Sequence, residues 1–164
     1  IGMPAVGKTE VGRLLSERLA WPFVDLDAWI AAREGRSAAA IIETRGEAHF
    51  RAVEAAALVA ALEPSPLVLA CGGGTPLRAE NRTVLRERGL VVWLQASPAV
   101  LWQRVTADAE RVRPLLRGAG VAEVSRLAAA RHAAYAATAH ILVVNEGASP
   151  TAAVGRIAAE LAVW

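Results

Sequence analysis

The sequence predicts one α/β domain over residues 1–164, built on a doubly wound parallel sheet of five strands. Three observations lead there. Short apolar runs bounded by Gly, Pro or Asp alternate with longer stretches of helical apolar spacing, the pattern of a parallel sheet covered on both faces. The opening, Gly2-Met3-Pro4-Ala5-Val6-Gly7-Lys8-Thr9, fills all four fixed places of G-x-x-x-x-G-K-[ST], a loop that joins a strand to a helix. The chain has 164 residues and is 54% hydrophobic, which suits one sizeable core and argues against disorder. No internal repeat and no linker divides it.

Taken in order, Gly7 to Ala20 has the apolar spacing of a helix, with Val11, Leu14, Leu15 and Leu19 on one side. Pro22 to Asp25 reads as a short strand and Asp27 to Glu34 as a helix closed by Gly35. Ser37 can cap a helix running to about Thr44. Gly46 interrupts, and Glu47 to Leu62 is a longer, alanine-rich helix stopped by Pro64 and Pro66. Leu67 to Cys71 is the next buried strand. Gly72-Gly73-Gly74 follows, then a helix from about Ala79 to Arg88 and a strand from Leu90 to Leu94. Ser97-Pro98 starts another helix, with Ser at the N-cap and Pro at the first turn. Residues 108–120 are polar, Arg-rich and weakly periodic, and are read as a mobile lid. Val121 to Ala137 is helical, Ile141 to Val144 is the last strand and Pro150 to Ala162 the last helix.

The start is unusual. A loop of this kind follows a buried strand, yet only Ile1 precedes Gly2. The sequence is therefore expected to come from a longer chain, short here of most of its first strand. No apolar run approaches the roughly 18 residues that a membrane span needs. With no secretory signal visible either, a cytoplasmic protein without a membrane partner is expected. A single cysteine, Cys71, excludes an internal disulfide and reads as a buried strand-end thiol, not a nucleophile. The formal charge is +2 and the arginines form no continuous run, which suits small anionic ligands better than nucleic acid. A monomer is expected.

Candidate chemistry clusters where the fold class places ligands, beyond the carboxyl ends of the strands. The loop from Gly2 to Thr9 can turn backbone N–H groups and a helix N-terminus toward a phosphate. Lys8 adds a point charge for the β and γ phosphates, and the Thr9 hydroxyl can ligate Mg²⁺. Asp25 and Asp27 flank one residue at a strand end: one can hold a metal-bound water and the other can accept a hydroxyl proton, or either can simply cap a helix. Arg51 and Glu54 stand one helical turn apart, as a carboxylate-binding arginine with its orienting partner or as a surface ion pair. Gly72 to Gly74 allow a close approach of backbone to ligand or form a flexible turn. Arg113 lies in the lid, where an arginine can close over a transferring phosphoryl group. Arg131 and Tyr135 share a helix face.

Together these stretches resemble the shikimate kinase family, a group with a nucleoside-monophosphate-kinase-like P-loop fold. The resemblance rests on Gly2 to Thr9, Asp25-Leu26-Asp27, Gly46-Glu47-Ala48-His49-Phe50-Arg51 with Glu54, Gly72-Gly73-Gly74, Arg113-Pro114-Leu115-Leu116, and Arg131 with Tyr135. It implies ATP-dependent phosphorylation of the 3-hydroxyl of shikimate, with ATP and Mg²⁺ as the required small molecules. By the same resemblance, Gly2, Pro4, Ala5, Val6, Gly7, Lys8 and Thr9 hold the phosphates, and Thr9 and Asp25 the metal. Asp27 binds the acceptor hydroxyls and acts as base. Arg51 and Arg131 clamp the carboxylate, with Gly72, Gly73 and Gly74 as further substrate contacts. Lys8 and Arg113 act on the transferring group, while Arg104 and Pro150 flank the adenine. Two departures stand out: Ala5 replaces a common loop glycine, and Ala31 replaces a glutamate of the family pattern. Two rival readings remain at this level. One is a ligand-sensing domain of a transcriptional regulator; the other is a kinase for another hydroxy acid such as gluconate.

Overall fold

A computed structural model describes residues 1–63, 66–107, 120–147 and 149–163. Helix α1 (Lys8–Leu19) starts at the left-handed Gly7 and buries Val11 and Leu15. Strand β1 (Phe23–Asp25) leads directly into α2 (Leu26–Glu34). Asp25 caps that helix, its Oδ1 accepting from the Ala28 N–H at 3.2 Å. Ser37 caps α3 (Ala38–Arg45) in the same way, through the Ala40 N–H. After α4 (Glu47–Ala61) and β2 (Val68–Ala70), residues Thr75–Leu77 form a single 3₁₀ turn. Then come α5 (Ala79–Arg88), β3 (Val92–Gln95), α6 (Pro98–Ala107), α7 (Val121–Thr138), β4 (Ile141–Val144) and α8 (Pro150–Leu161). Most of the anticipated lid, 108–120, lies outside the described residues.

The strands pair in parallel, as the alternation of elements requires, but as two two-stranded sheets among the described residues and not the single sheet expected. β1 pairs with β2, placing Asp25 opposite Ala70, and β3 pairs with β4, placing Gln95 opposite Val144. The five strands expected are four among the described residues. Ile1 and Gly2 run alongside β3, with Gly2 bridged in parallel to Leu94. The Leu94 N–H donates to the Ile1 carbonyl at 2.9 Å. β2 and β3 do not pair directly. A groove of about 480 Å³ runs between them, lined by Ile1, Val68, Ala70 and Val92 among others. The strand expected from Leu90 begins two residues later, where Ile141 N–H donates to the Val91 carbonyl as the first rung of the β3–β4 ladder, while the Val91 N–H itself goes to His140 Nδ1.

Helices α1 and α8 pack on each other and reach β2 and β4 respectively, while α6 and α5 lean on α7. The core draws Val6, Leu26, Leu58, Leu101 and Val124, all with no exposed surface, from elements spread along the chain. Burying side chains of this size gives roughly 1.5–3 kcal/mol each. Trp93 closes the centre, its ring 5.6 Å from that of Tyr135. Among the described residues no helix is long and apolar enough to cross a membrane. The three strand ends carrying Asp25, Cys71 and Gln95 all open beside the turn before α1, and that common edge positions the site.

Candidate active site

The phosphate loop is already shaped. Gly7 has φ 93° and Ala5 has φ 65°, so Ala5 holds a left-handed conformation that costs an alanine roughly 1–2 kcal/mol. The departure at Ala5 thus leaves the loop geometry intact. The Lys8 ammonium folds back onto the loop, donating to the Gly2 and Met3 carbonyls, both at 2.9 Å. Neutral carbonyls are poor substitutes for an anion. Burial, with Arg131 adding like charge, therefore lowers its pKa from 10.5 to about 8, despite Asp27 and Asp25 nearby.

Next to the loop, Thr9 Oγ1 donates to Asp25 Oδ2 at 2.7 Å while Asp25 Oδ1 caps α2. Asp25 therefore serves as helix cap and as part of the site at once. A hydroxyl and a single carboxylate are the oxygen set expected of a Mg²⁺ that keeps most of its waters, so the residues present fit that ion. Asp27 sits in the first turn of α2 and caps nothing. Its side chain remains solvent-accessible within the cleft. Burial raises its pKa, Asp25 and Glu54 adding to the effect against the attraction of Lys8 and Arg51. A carboxyl shifted upward is better matched to taking a proton than an ordinary one.

Each glycine of the triplet makes room for charged side chains. A Cβ on Gly72 would lie 2.7 Å from Asp27 Oδ1, one on Gly73 would lie 3.0 Å from Arg131 Nη1, and one on Gly74 would lie 2.7 Å from the Arg51 guanidinium carbon. The Gly73 position also faces Pro4 of the phosphate loop, 3.1 Å away. Three residues in sequence thus gather Asp27, Arg131 and Arg51 around one hollow beside the loop.

The Arg51–Glu54 pair is no surface ion pair. Glu54 is 1% exposed, and Arg51 Nη1 donates to its Oε2 at 2.8 Å. Glu47 takes the other edge of the guanidinium, through Nε at 3.3 Å and Nη2 at 3.0 Å. The second Glu54 oxygen accepts from the fully buried Thr75 hydroxyl at 2.8 Å. Thr75 was not singled out in the sequence. Its signal was its place directly behind the glycine triplet, on a turn too short for periodicity to reveal. Arg131 is 5% exposed. Its Nη1 donates to the Gly73 carbonyl at 3.1 Å, and the Tyr135 hydroxyl donates to the same oxygen at 2.7 Å. Buried Arg131 Nε has no hydrogen-bond partner among the described residues, and such a donor is costly unless a ligand completes it.

On the far side of the loop, the Val6 carbonyl accepts from Asn145 Nδ2 at 2.8 Å and from Arg104 Nη1 at 3.4 Å. Arg104 Nη2 also donates to the Gly147 carbonyl, which brings the end of α6 beside the approach to Pro150, the first residue of α8. Asn145, buried at the end of β4, is a second residue that the sequence reading passed over. A lone polar residue closing the run Ile141-Leu142-Val143-Val144 was its only mark. Cys71 is buried, and burial pushes its pKa up to about 11, which leaves the thiol inert. Arg113 lies outside the described residues.

Comparison with known proteins adds the following. Residues 4–162 match the family model for shikimate kinase. A shikimate kinase of Symbiobacterium thermophilum is 43% identical over 147 residues, covering 89% of this chain and 84% of the relative. A shikimate kinase from Acinetobacter baumannii, solved in complex with shikimate, superposes with a TM-score of 0.88 at 34% identity, over 98% of this chain and 90% of that one. The crystal structure of a shikimate kinase from Bacteroides thetaiotaomicron reaches a TM-score of 0.89 at 28% identity, over 98% and 94% of the two chains.

Proposed function

This chain belongs to the shikimate kinase family, and from that premise we propose how its residues divide the work. The activity is the ATP-dependent phosphorylation of shikimate on its 3-hydroxyl. The sensor and gluconate readings gain no support. Arg51 and Arg131 grip the shikimate carboxylate, because two forked guanidiniums match a carboxylate better than any other side-chain pair. Glu47 and Glu54 keep Arg51 from swinging into solvent. Asp27 orients the acceptor hydroxyl and takes its proton as the oxygen receives the phosphoryl group. Lys8, released from the Gly2 and Met3 carbonyls, and the loop amides hold the β and γ phosphates of ATP. Thr9 and Asp25 would hold Mg²⁺, which when bound would offset phosphate charge. By similarity Arg113 closes over the transferring group, and Arg104 and Pro150 flank the adenine. Residues 1–164 act as one domain.

The observation that carries this reading is Arg131: a buried guanidinium whose Nε is unpaired among the described residues, beside the glycine triplet that receives Arg51 and Asp27, with Pro4 facing Gly73. Steady-state kinetics test it. Arg131→Lys and Arg51→Ala each raise KM for shikimate about tenfold or more, the loss of a charge-assisted pair, while KM for ATP stays within about twofold. An unchanged KM for shikimate in both variants removes the clamp.

A further inference from the structure

We propose that Asn145 is a positioning residue for the nucleotide: it sets the plane of the Val6–Gly7 peptide and so aims the Gly7 N–H into the phosphate cradle. The inference rests on the reading of Gly2 to Thr9 as the nucleotide loop. The peptide unit is planar and trans, so its carbonyl and its N–H point in opposite directions. Whatever captures the Val6 oxygen outside the loop therefore turns the Gly7 N–H inward. Asn145 is placed to do so. It is 5% exposed, its own N–H is tied to the Gln95 carbonyl at 2.7 Å, and its Nδ2 donates to Val6 at 2.8 Å. The amide is thus clamped to β3 at one end and to the loop at the other. Arg104, at 3.4 Å, is a longer second donor on a side chain that also serves Gly147.

Gly7 reports the same closeness. A Cβ there would stand 2.9 Å from Asn145 Nδ2, and its φ of 93° is unfavourable for any other residue. Val6 itself has no exposed surface, so water cannot replace the amide donor. Without Asn145 only the longer Arg104 contact holds the Val6 carbonyl among the described residues, so the peptide turns more readily and each bound nucleotide must first restore its orientation.

Asn145→Asp tests this with little change of volume, since an ionised carboxylate accepts and cannot donate to a carbonyl. ADP and shikimate affinities are measured by titration calorimetry on wild type, Asn145→Asp and Asn145→Ala, with thermal melts confirming that each is folded. Asn145→Ala keeps the test open should the acidic variant not fold. ADP affinity falls about tenfold, the scale of one buried hydrogen bond, and shikimate affinity holds within about twofold. Wild-type affinity for ADP in both folded variants overturns the inference. So does an equal loss for both ligands, which would make Asn145 a general prop of the fold. A wild-type protein that itself does not bind ADP refutes the nucleotide-loop reading instead, and the inference with it.

Discussion

Lys8 shows how a single ammonium group can report on its own ligand. Its pKa stands near 8 because burial disfavours the charge and, among the described residues, its hydrogen bonds go to carbonyls. Nucleotide phosphates supply the missing anion and raise that pKa again. Affinity for ATP is therefore fully present below about pH 8 and declines as pH rises past it. Calorimetry at about pH 8.5 in buffers of different ionisation enthalpy detects proton uptake on binding; a pH-independent affinity between about 7 and 9 would refute the shift. In the proposed site Thr75 acts at one remove from substrate, through Glu54 and Arg51. Thr75→Val strips the donor from one oxygen of buried Glu54, at a cost of about 1–3 kcal/mol, and loosens the hold on Arg51. KM for shikimate rises, KM for ATP does not, and Thr75→Ser restores the former.

Among the helices, α1 carries the tightest constraint, since it must begin at the phosphate loop and still lie flat against the sheet. Gly12 makes that possible: a Cβ there would come within 2.6 Å of Phe23 Cε2 on β1. An alanine would favour the helix by about 1 kcal/mol, but the close ring opposes it. Gly12→Val adds more bulk against that ring, and costs about 1–3 kcal/mol of stability by overpacking. A denaturant melt measures the loss, and an unchanged midpoint would mean that α1 is free to ride away from β1. Asp25 and Ser37 illustrate how caps punctuate the chain, each closing a helix start with its own side-chain oxygen.

Across the molecule, stability and the proposed role as base pull against each other at Asp27. Burial first, then Asp25 and Glu54, hold its carboxyl above the ordinary carboxylate value of 3.8. The unfolded chain has no such shift. The protonated carboxyl favours the fold fully below 3.8, and that advantage is gone once pH has risen through the raised folded value. At pH 7 the ionised group is therefore a burden, a small one because its side chain stays solvent-accessible and Lys8 and Arg51 attract it. Asp27→Asn raises the Tm at pH 7, leaves it unchanged below 3.8, and nearly abolishes turnover. Equal melting temperatures at pH 7, or a variant with near wild-type kcat, would each contradict the assignment.

Much of this could be read directly along the chain. The helix from Ala79 to Arg88 and the strand from Ile141 to Val144 fall where spacing and turn residues put them, because apolar periodicity, caps and breakers act within a few residues. The phosphate loop was equally plain, its glycines, lysine and threonine lying together in sequence. What remained hidden is contact between distant segments. Asn145 meets Val6 from 139 residues away, Arg131 meets the Gly73 carbonyl from 58, and Thr75 meets Glu54 from 21. Such meetings follow from the order in which strands lie side by side and from which glycines leave room between them. No local pattern encodes that order, so the motif-bearing candidates were visible early, while Thr75, Asn145 and the arrangement of the candidates around one hollow came only with folding.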